Sequence, residues 1–213
     1  MGRLVVIEGL DGAGKRTLAE ALTAALRATG ASVTGLAFPR YGVDVHADLI
    51  RDALHGDLGD LGDSVHGMAV LFALDRLAAR DAVTEALATN DVLLADRYIA
   101  SNAAYGAARL HQDAHGEFVS WVHALEVTRL GVPVPHAHLL LRVPAAVAAS
   151  RAAHRERTEA DRRRDNFESD DALQARCARL YDQLAAGDWL APWHVVDGTL
   201  PQDMAVLAKT LLR

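Results

Sequence analysis

Cysteine is almost missing from these 213 residues: Cys177 stands alone, which rules out an intrachain disulfide and fits a reducing compartment. Lysine is nearly as scarce, with only Lys15 and Lys209 among 22 basic residues. The arginine- and alanine-rich composition that results points to a high-GC coding genome, which bears on source and not on activity. There is no excess of positive charge. A formal net charge of -6 argues against general nucleic-acid binding, which wants a basic face, while leaving room for a basic pocket around one phosphorylated molecule. No apolar run approaches the ~18 residues of a membrane span; the candidates Ala69–Leu74 and Leu139–Leu141 are cut off by Asp75 and Arg142. A signal peptide is not expected either, because a strand-like run begins at Leu4 and a glycine loop follows it at once. These absences predict a cytoplasmic protein. Repeats, low-complexity linkers and shifts of composition are lacking, so residues 1–213 read as one domain. The ten histidines form no HExxH or Cys/His set, which gives no reason to expect zinc. His136 and His138 share one face of a strand and are expected to meet solvent at its end. Cys177, Trp121, Trp189 and Trp193 are expected to pack.

What the chain does have is alternation. Leu4–Ile7, Ser32–Ala37, Asp91–Ala95, His136–Arg142 and Trp193–Val196 read as strands. Helical periodicity fills Lys15–Thr29, Val45–Leu54, Asp63–Ala88, Ile99–Leu110, Glu117–Leu130, Leu173–Ala186 and Gln202–Leu212. Strands apolar on both faces and separated by helices predict an α/β fold: a doubly wound, five-stranded parallel sheet with helices on both sides.

Gly9-Leu-Asp-Gly-Ala-Gly-Lys-Arg-Thr17 lies directly between the first strand and the first helix. That is a P-loop: glycines let the backbone wrap phosphates while N–H groups at the helix start point at the anion. Gly9, Gly12, Ala13, Gly14, Lys15, Arg16 and Thr17 would cradle ATP phosphates, with Lys15 as the mobile cation. One departure stands out. The general pattern places Ser or Thr directly after the lysine to ligate magnesium; here Arg16 occupies that place and Thr17 follows. Mg²⁺ would therefore lean on carboxylates, of which Asp11 and Asp96 are the best placed.

Asp96-Arg97-Tyr98 follows the third strand, where α/β sheets bind ligands and P-loop proteins hold metal or the loop lysine. For Asp96 alone the bland alternative is a helix N-cap. Arg97 beside it can fork onto a second phosphate. Six of the twenty arginines, Arg151, Arg155, Arg157, Arg162, Arg163 and Arg164, fall within fourteen residues mixed with Glu156, Glu159 and Asp161. That run reads either as a solvated mixed-charge helix or as a mobile lid at about 150–165 that brings cations to a transferring phosphoryl group.

Taken in order, the P-loop with an acidic third residue, Phe38-Pro-Arg-Tyr41, Phe72-Ala-Leu-Asp-Arg76, Asp96-Arg-Tyr98 with Ser101, Asn102 and Tyr105, and the late arginine segment resemble the thymidylate kinase family from end to end, closest to its high-GC bacterial forms. The resemblance implies transfer of a phosphoryl group from Mg²⁺-ATP to dTMP, giving dTDP, and a homodimer formed through helix packing. It also implies a dTMP pocket. Phe72 would stack on thymine, Arg76 would donate to a base oxygen, and Asn102 would read the base edge. Arg40 and Arg97 would hold the acceptor phosphate, with Phe38, Tyr41 and Ser101 close by. Asp11 would sit near the sugar 3′-hydroxyl and the metal, Tyr105 against the 2′ position, and Phe167 along the base, with Glu168 supporting metal or sugar. In isolation Phe72 and Tyr105 would each read as core residues. Some family members carry the catalytic arginine in the P-loop and others in the lid; Gly12 after Asp11 fits the lid type, with Arg155 and Arg162 as the candidates. The rival readings are another P-loop nucleotide or deoxynucleoside kinase, and a non-catalytic nucleotide-dependent switch. The acceptor-side arginines favour a monophosphate substrate.

Overall fold

The computed structural model describes residues 2–158, 167 and 169–212, and of 155–158 the backbone alone. Five strands form one parallel sheet: β1 (Arg3–Glu8), β2 (Val33–Ala37), β3 (Val92–Asp96), β4 (Ala137–Arg142) and β5 (Trp193–Asp197), in the order β2-β3-β1-β4-β5. The three central strands are buried along nearly their whole length, as runs such as Leu4-Val-Val-Ile7 require when helices cover both faces. Among the described residues eight α-helices surround the sheet: α1 (Lys15–Ala28), α2 (Val45–His55), α3 (Val65–Thr89), α4 (Ile99–Arg109), α5 (Glu117–His123), α6 (Ala145–Thr158), α7 (Asp171–Ala186) and α8 (Met204–Leu211). This is the doubly wound P-loop kinase architecture expected from the sequence.

The helix boundaries have local causes. Leu18, Leu22 and Leu26 recur every four residues and bury one stripe of α1 against the sheet, each contributing about 1.5–3 kcal/mol. Asp44 caps α2 by accepting from the His46 N–H at 2.9 Å, and Asp170 caps α7 through the Leu173 N–H at 2.8 Å. On α4, Ala100, Ala103, Ala104, Ala107 and Ala108 are wholly buried. These small side chains let α4 approach α7, with which it packs extensively. Gly106 is required where α4 meets α5: a Cβ at this position would fall 2.0 Å from the Phe118 ring.

Two sequence expectations are corrected. The segment Glu117–Leu130 is not one regular helix; α5 ends at His123 and a π-helical turn covers Ala124–Arg129, turning Glu126 fully inward. His138 does not face solvent. It has no exposed surface, and its ring stacks on Trp193 at 4.2 Å, because β4 lies inside the sheet with His138 in register with Trp193 of β5. Burial pulls its pKa down to about 3, and neither ring nitrogen finds a hydrogen-bond partner among the described residues. His136 stays exposed and accepts the Leu4 N–H through Nδ1 at 2.9 Å.

The sheet determines where chemistry can happen. Ile7 of β1 pairs with Asp96 of β3, and the Arg97 N–H continues the ladder to the Ile7 carbonyl at 2.9 Å. The P-loop and the Asp96-Arg97 pair therefore emerge side by side at the carboxyl edge of the sheet.

Candidate active site

The loop Gly9–Gly14 leaves β1 and turns into α1 through glycines in left-handed conformations, φ 80° at Gly12 and 101° at Gly14. A Cβ on Gly12 would lie 2.1 Å from the Ala148 carbonyl of α6, so the loop is bare at this point because a helix rests on it. Arg151 of α6 fastens that contact, donating to the Ala13 carbonyl at 3.1 Å and to the Gly198 carbonyl at 3.4 Å. Lys15 is buried and folds back over the loop, donating to the Gly9 and Leu10 carbonyls at 3.2 and 2.9 Å, with Asp11 3.9 Å away. Burial and the Arg97 charge outweigh its acidic neighbours and pull its pKa down to about 8. Ala13 is buried, Gly9 lies behind the loop, and Gly12, Gly14, Arg16 and Thr17 line the cavity.

At the end of β3, Arg97 holds a left-handed backbone, φ 64°, that an unstrained non-glycine residue rarely adopts. Its guanidinium donates to Asp11, to Ser101 Oγ at 3.0 Å, to Tyr181 Oη at 3.2 Å and to Tyr105 Oη at 3.4 Å. Tyr105 in turn donates to Asp11 Oδ2 at 2.7 Å. Burial pushes the Asp11 carboxyl up, but the Arg97 and Lys15 charges overcome it and hold the group well below the usual carboxylate range. Beneath them Glu8 is fully buried and accepts from the Tyr98 N–H at 3.0 Å, Ser101 Oγ at 2.6 Å and Tyr181 Oη at 3.1 Å; desolvation raises its pKa despite these donors. Asp96 presents an enclosed Oδ1 with no hydrogen-bond partner among the described residues.

The acceptor side is built from α3, α4 and the turn after β2. Phe72 is half-buried on α3 beside a small apolar cluster of Ile50, Ala53, Leu54 and Met68 from α2 and α3. Arg76 and Asn102 are buried at the cavity floor and meet the carboxylate of Glu126: Arg76 Nη2 donates at 2.7 Å and Asn102 Nδ2 at 2.8 Å. Phe38 lies over Tyr98, its bond to Pro39 is cis, and Tyr41 lines the outer wall. Phe167 sits between the Tyr105 ring, 6.4 Å away and nearly parallel, and the Arg109 guanidinium 4.6 Å from its centroid. One cavity of about 1140 Å³ runs from Gly12, Lys15 and Thr17 past Asp96 and Arg97 to Phe72, Arg76, Asn102 and Tyr105. The P-loop and the acceptor residues thus share a single space.

Arg40 lies differently from the expectation. Its Nε donates to Asp75 at 2.7 Å and its Nη2 to the Asp75 carbonyl at 2.8 Å and toward Asp44 at 3.1 Å, so the guanidinium braces the Phe38–Tyr41 turn and does not line the cavity. The side chain of Arg155, and all of Arg162 and Glu168, lie outside the described residues. Sequence reasoning missed Glu8, Glu126, Arg109 and Tyr181. Glu8 had left a trace, as the acidic residue that ends the apolar run Leu4–Ile7. Glu126 looked like any polar residue of a helix.

A family model described as "Thymidylate kinase" matches residues 7–205. The chain is 50% identical over 208 residues to the thymidylate kinase of Mycobacterium tuberculosis, covering 98% of this chain and 96% of the relative. It is 36% identical over 204 residues to that of Xanthomonas oryzae pv. oryzae (95% and 78%) and 29% over 218 residues to that of Homo sapiens (100% and 92%). Matched over nearly its whole length, and with the P-loop and acceptor residues converging on one cavity, the chain belongs to the thymidylate kinase family.

Proposed function

We propose that this chain transfers the γ-phosphoryl group of ATP to the 5′-phosphate of dTMP, yielding dTDP and ADP and feeding dTTP synthesis. The observation that carries the reading is the single cavity in which Lys15 and the P-loop face Arg97, Arg76 and Asn102. The acceptor is already an anionic phosphate, so no general base is needed; the residues position two phosphates and neutralise charge. In this reading Lys15 leaves the Gly9 and Leu10 carbonyls for the β- and γ-phosphates. Arg97, held by Asp11 and three hydroxyls, receives the acceptor phosphate, with Ser101 and Tyr41 beside it. Phe72 and Phe167 flank the base, Arg76 and Asn102 read its edge, and Tyr105 closes against the sugar. Arg155 and Arg162 would bring positive charge to the transferring phosphoryl group from the lid at about 150–165.

Mg²⁺ fits this donor set. Asp96 Oδ1 is enclosed and unpartnered among the described residues, and Asp11, held ionised by Arg97 and Lys15, lines the same cavity. Among the described residues no group of three or more His, Cys, Asp or Glu forms a protein-only cage, which suits a hard cation held by one or two carboxylates plus nucleotide oxygens. Asp96 and Asp11 would hold it, with Glu168 supporting metal or sugar. When bound, it would screen the phosphate charge. A homodimer through helix packing and a cytoplasmic location complete the reading; the free, buried Cys177 is consistent with a reducing compartment, and sedimentation tests the dimer.

The test is ADP formation from Mg²⁺-ATP with dTMP, dUMP, dCMP, dGMP, AMP and thymidine supplied one at a time. Rapid turnover with dTMP and slower turnover with dUMP is the expected result. Turnover with thymidine and none with dTMP would move the chain to the nucleoside kinases, and silence with every acceptor would overturn the assignment.

A further inference from the structure

Glu126 is wholly buried, contacts neither phosphate-binding element and lies on a segment whose helical geometry is abnormal. Its carboxylate sits at the junction of two residues that face the cavity. One is Arg76, which donates to it through both Nε and Nη2; the other is Asn102, which donates through Nδ2 at 2.8 Å. The second acceptor of Asn102 Nδ2 is the Ala69 carbonyl at 3.0 Å. Both partners of that nitrogen can only accept, which decides the amide orientation: the NH₂ must point at them and the oxygen must point away. Asn102 lines the cavity, and its Oδ1 receives no hydrogen bond among the described residues. The cavity is therefore offered an acceptor by Asn102 and, from Arg76, the Nη1 donors that Glu126 leaves unpaired.

We propose that Glu126 is a positioning residue for nucleobase recognition: it locks the Asn102 amide oxygen and the Arg76 Nη1 donor toward the base, and so restricts the acceptor to pyrimidines with an N3–H donor and a 4-oxo acceptor. Cytosine presents the opposite pair, an N3 acceptor and a 4-amino donor, and meets like against like at both points. This rests on the dTMP reading above and specifies how that pocket chooses. A buried ion pair is weak evidence for stability, since apolar residues of similar volume often serve as well or better. An arginine, a carboxylate and an amide enclosed beneath a ligand cavity are better explained by the orientation they enforce. The π-helical turn is part of the same device. Widened turns of this kind recur at functional sites, and here the turn places the Glu126 side chain inward while its carbonyl accepts the Val132 N–H at 2.9 Å.

The experiment is steady-state kinetics of the wild-type chain and Glu126→Gln with dTMP, dUMP, dCMP and N3-methyl-dTMP at saturating Mg²⁺-ATP. For the wild type, dTMP and dUMP should turn over, while dCMP and N3-methyl-dTMP should fall by about 100-fold or more in kcat/KM. A glutamine at 126 can itself donate to Asn102 Oδ1 and let the amide turn over. The dTMP:dCMP ratio should then drop by about tenfold or more, with KM for ATP unchanged. A purely structural role would depress all acceptors together and leave the ratio intact, which would overturn the proposal. Should the variant fail to fold, the wild-type comparison decides alone: equal use of dCMP or N3-methyl-dTMP and dTMP overturns it. Failure to use dTMP at all would instead overturn the assigned reaction, so the two failures are distinct.

Discussion

Two arginine–carboxylate pairs meet the same cavity, one beside the P-loop and one at its floor, and they are built differently. In the Arg97–Asp11 pair the side chains keep 15% and 21% of their surface, and the guanidinium shares its donors with three hydroxyls. In the Arg76–Glu126 pair the figures are 2% and 0%, and the carboxylate is fully committed to Arg76 and Asn102. On the proposed function the first pair would exchange partners, an incoming phosphate taking up Arg97 and a cation Asp11 while the hydroxyls keep the guanidinium aimed. The second cannot, because removing either member leaves a charge enclosed without compensation. Exposure rather than distance separates the two pairs: one is open to the cavity and able to change partners, the other is sealed.

The largest effects should appear when each pair is cut and the losses fall in different observables. Arg97→Ala should lower kcat/KM for dTMP by about 10³-fold, equivalent to about 4 kcal/mol of transition-state stabilisation. Its melting temperature should stay close to wild type, since Asp11 keeps Tyr105 and Lys15 as partners. Near-normal turnover in this variant would remove Arg97 from the phosphate site. Arg76→Leu should do the reverse in stability, costing about 3–5 kcal/mol because Glu126 is left charged and sealed; chemical denaturation measures it. If Arg76→Leu unfolds at the wild-type denaturant midpoint, the contrast between the pairs is lost.

How much of this was legible in the sequence follows the same division. The strand–loop–lysine–helix order announced the phosphate side because it needs contiguous residues, and the sheet followed from strands such as Val92–Ala95 that are apolar on both faces. Phe72, Arg76 and Asn102 could be named through a family likeness but not through periodicity, since each lies on a helix that also packs. Glu126 and Glu8 were invisible as partners. Glu126 is 50 residues from Arg76 and Glu8 is 93 from Ser101, and only the fold brings them together. The burial of His138 escaped for a similar reason, because the ring that covers it comes from the next strand. That Arg40 meets Asp75 was equally hidden, because an arginine after Phe-Pro looks the same whether it faces a ligand or a carboxylate.

The smallest expected effect sharpens the comparison through pH. Lys15 belongs to the exchangeable end, and its pKa in the free protein is pulled down to about 8 by burial and Arg97. Bound polyphosphate favours the charged lysine and raises that value again. Affinity for ATP should therefore be greatest below pH 8 and weaken above it, by up to about tenfold per pH unit until the bound-state pKa is reached. Stability of the ligand-free protein should move the other way. Between pH 8 and the ordinary lysine value the unfolded chain holds a proton that folded Lys15 has given up, so this residue makes the fold relatively more stable as pH rises through that window. Arg76 stays protonated throughout that window, so ATP binding and the choice of base should respond to alkali independently. Calorimetric titration of ATP and of dTMP between pH 7 and 9 separates them: a parallel decline in both affinities would show that the two ends of the cavity are electrostatically coupled and that the exchangeable and fixed pairs do not act apart.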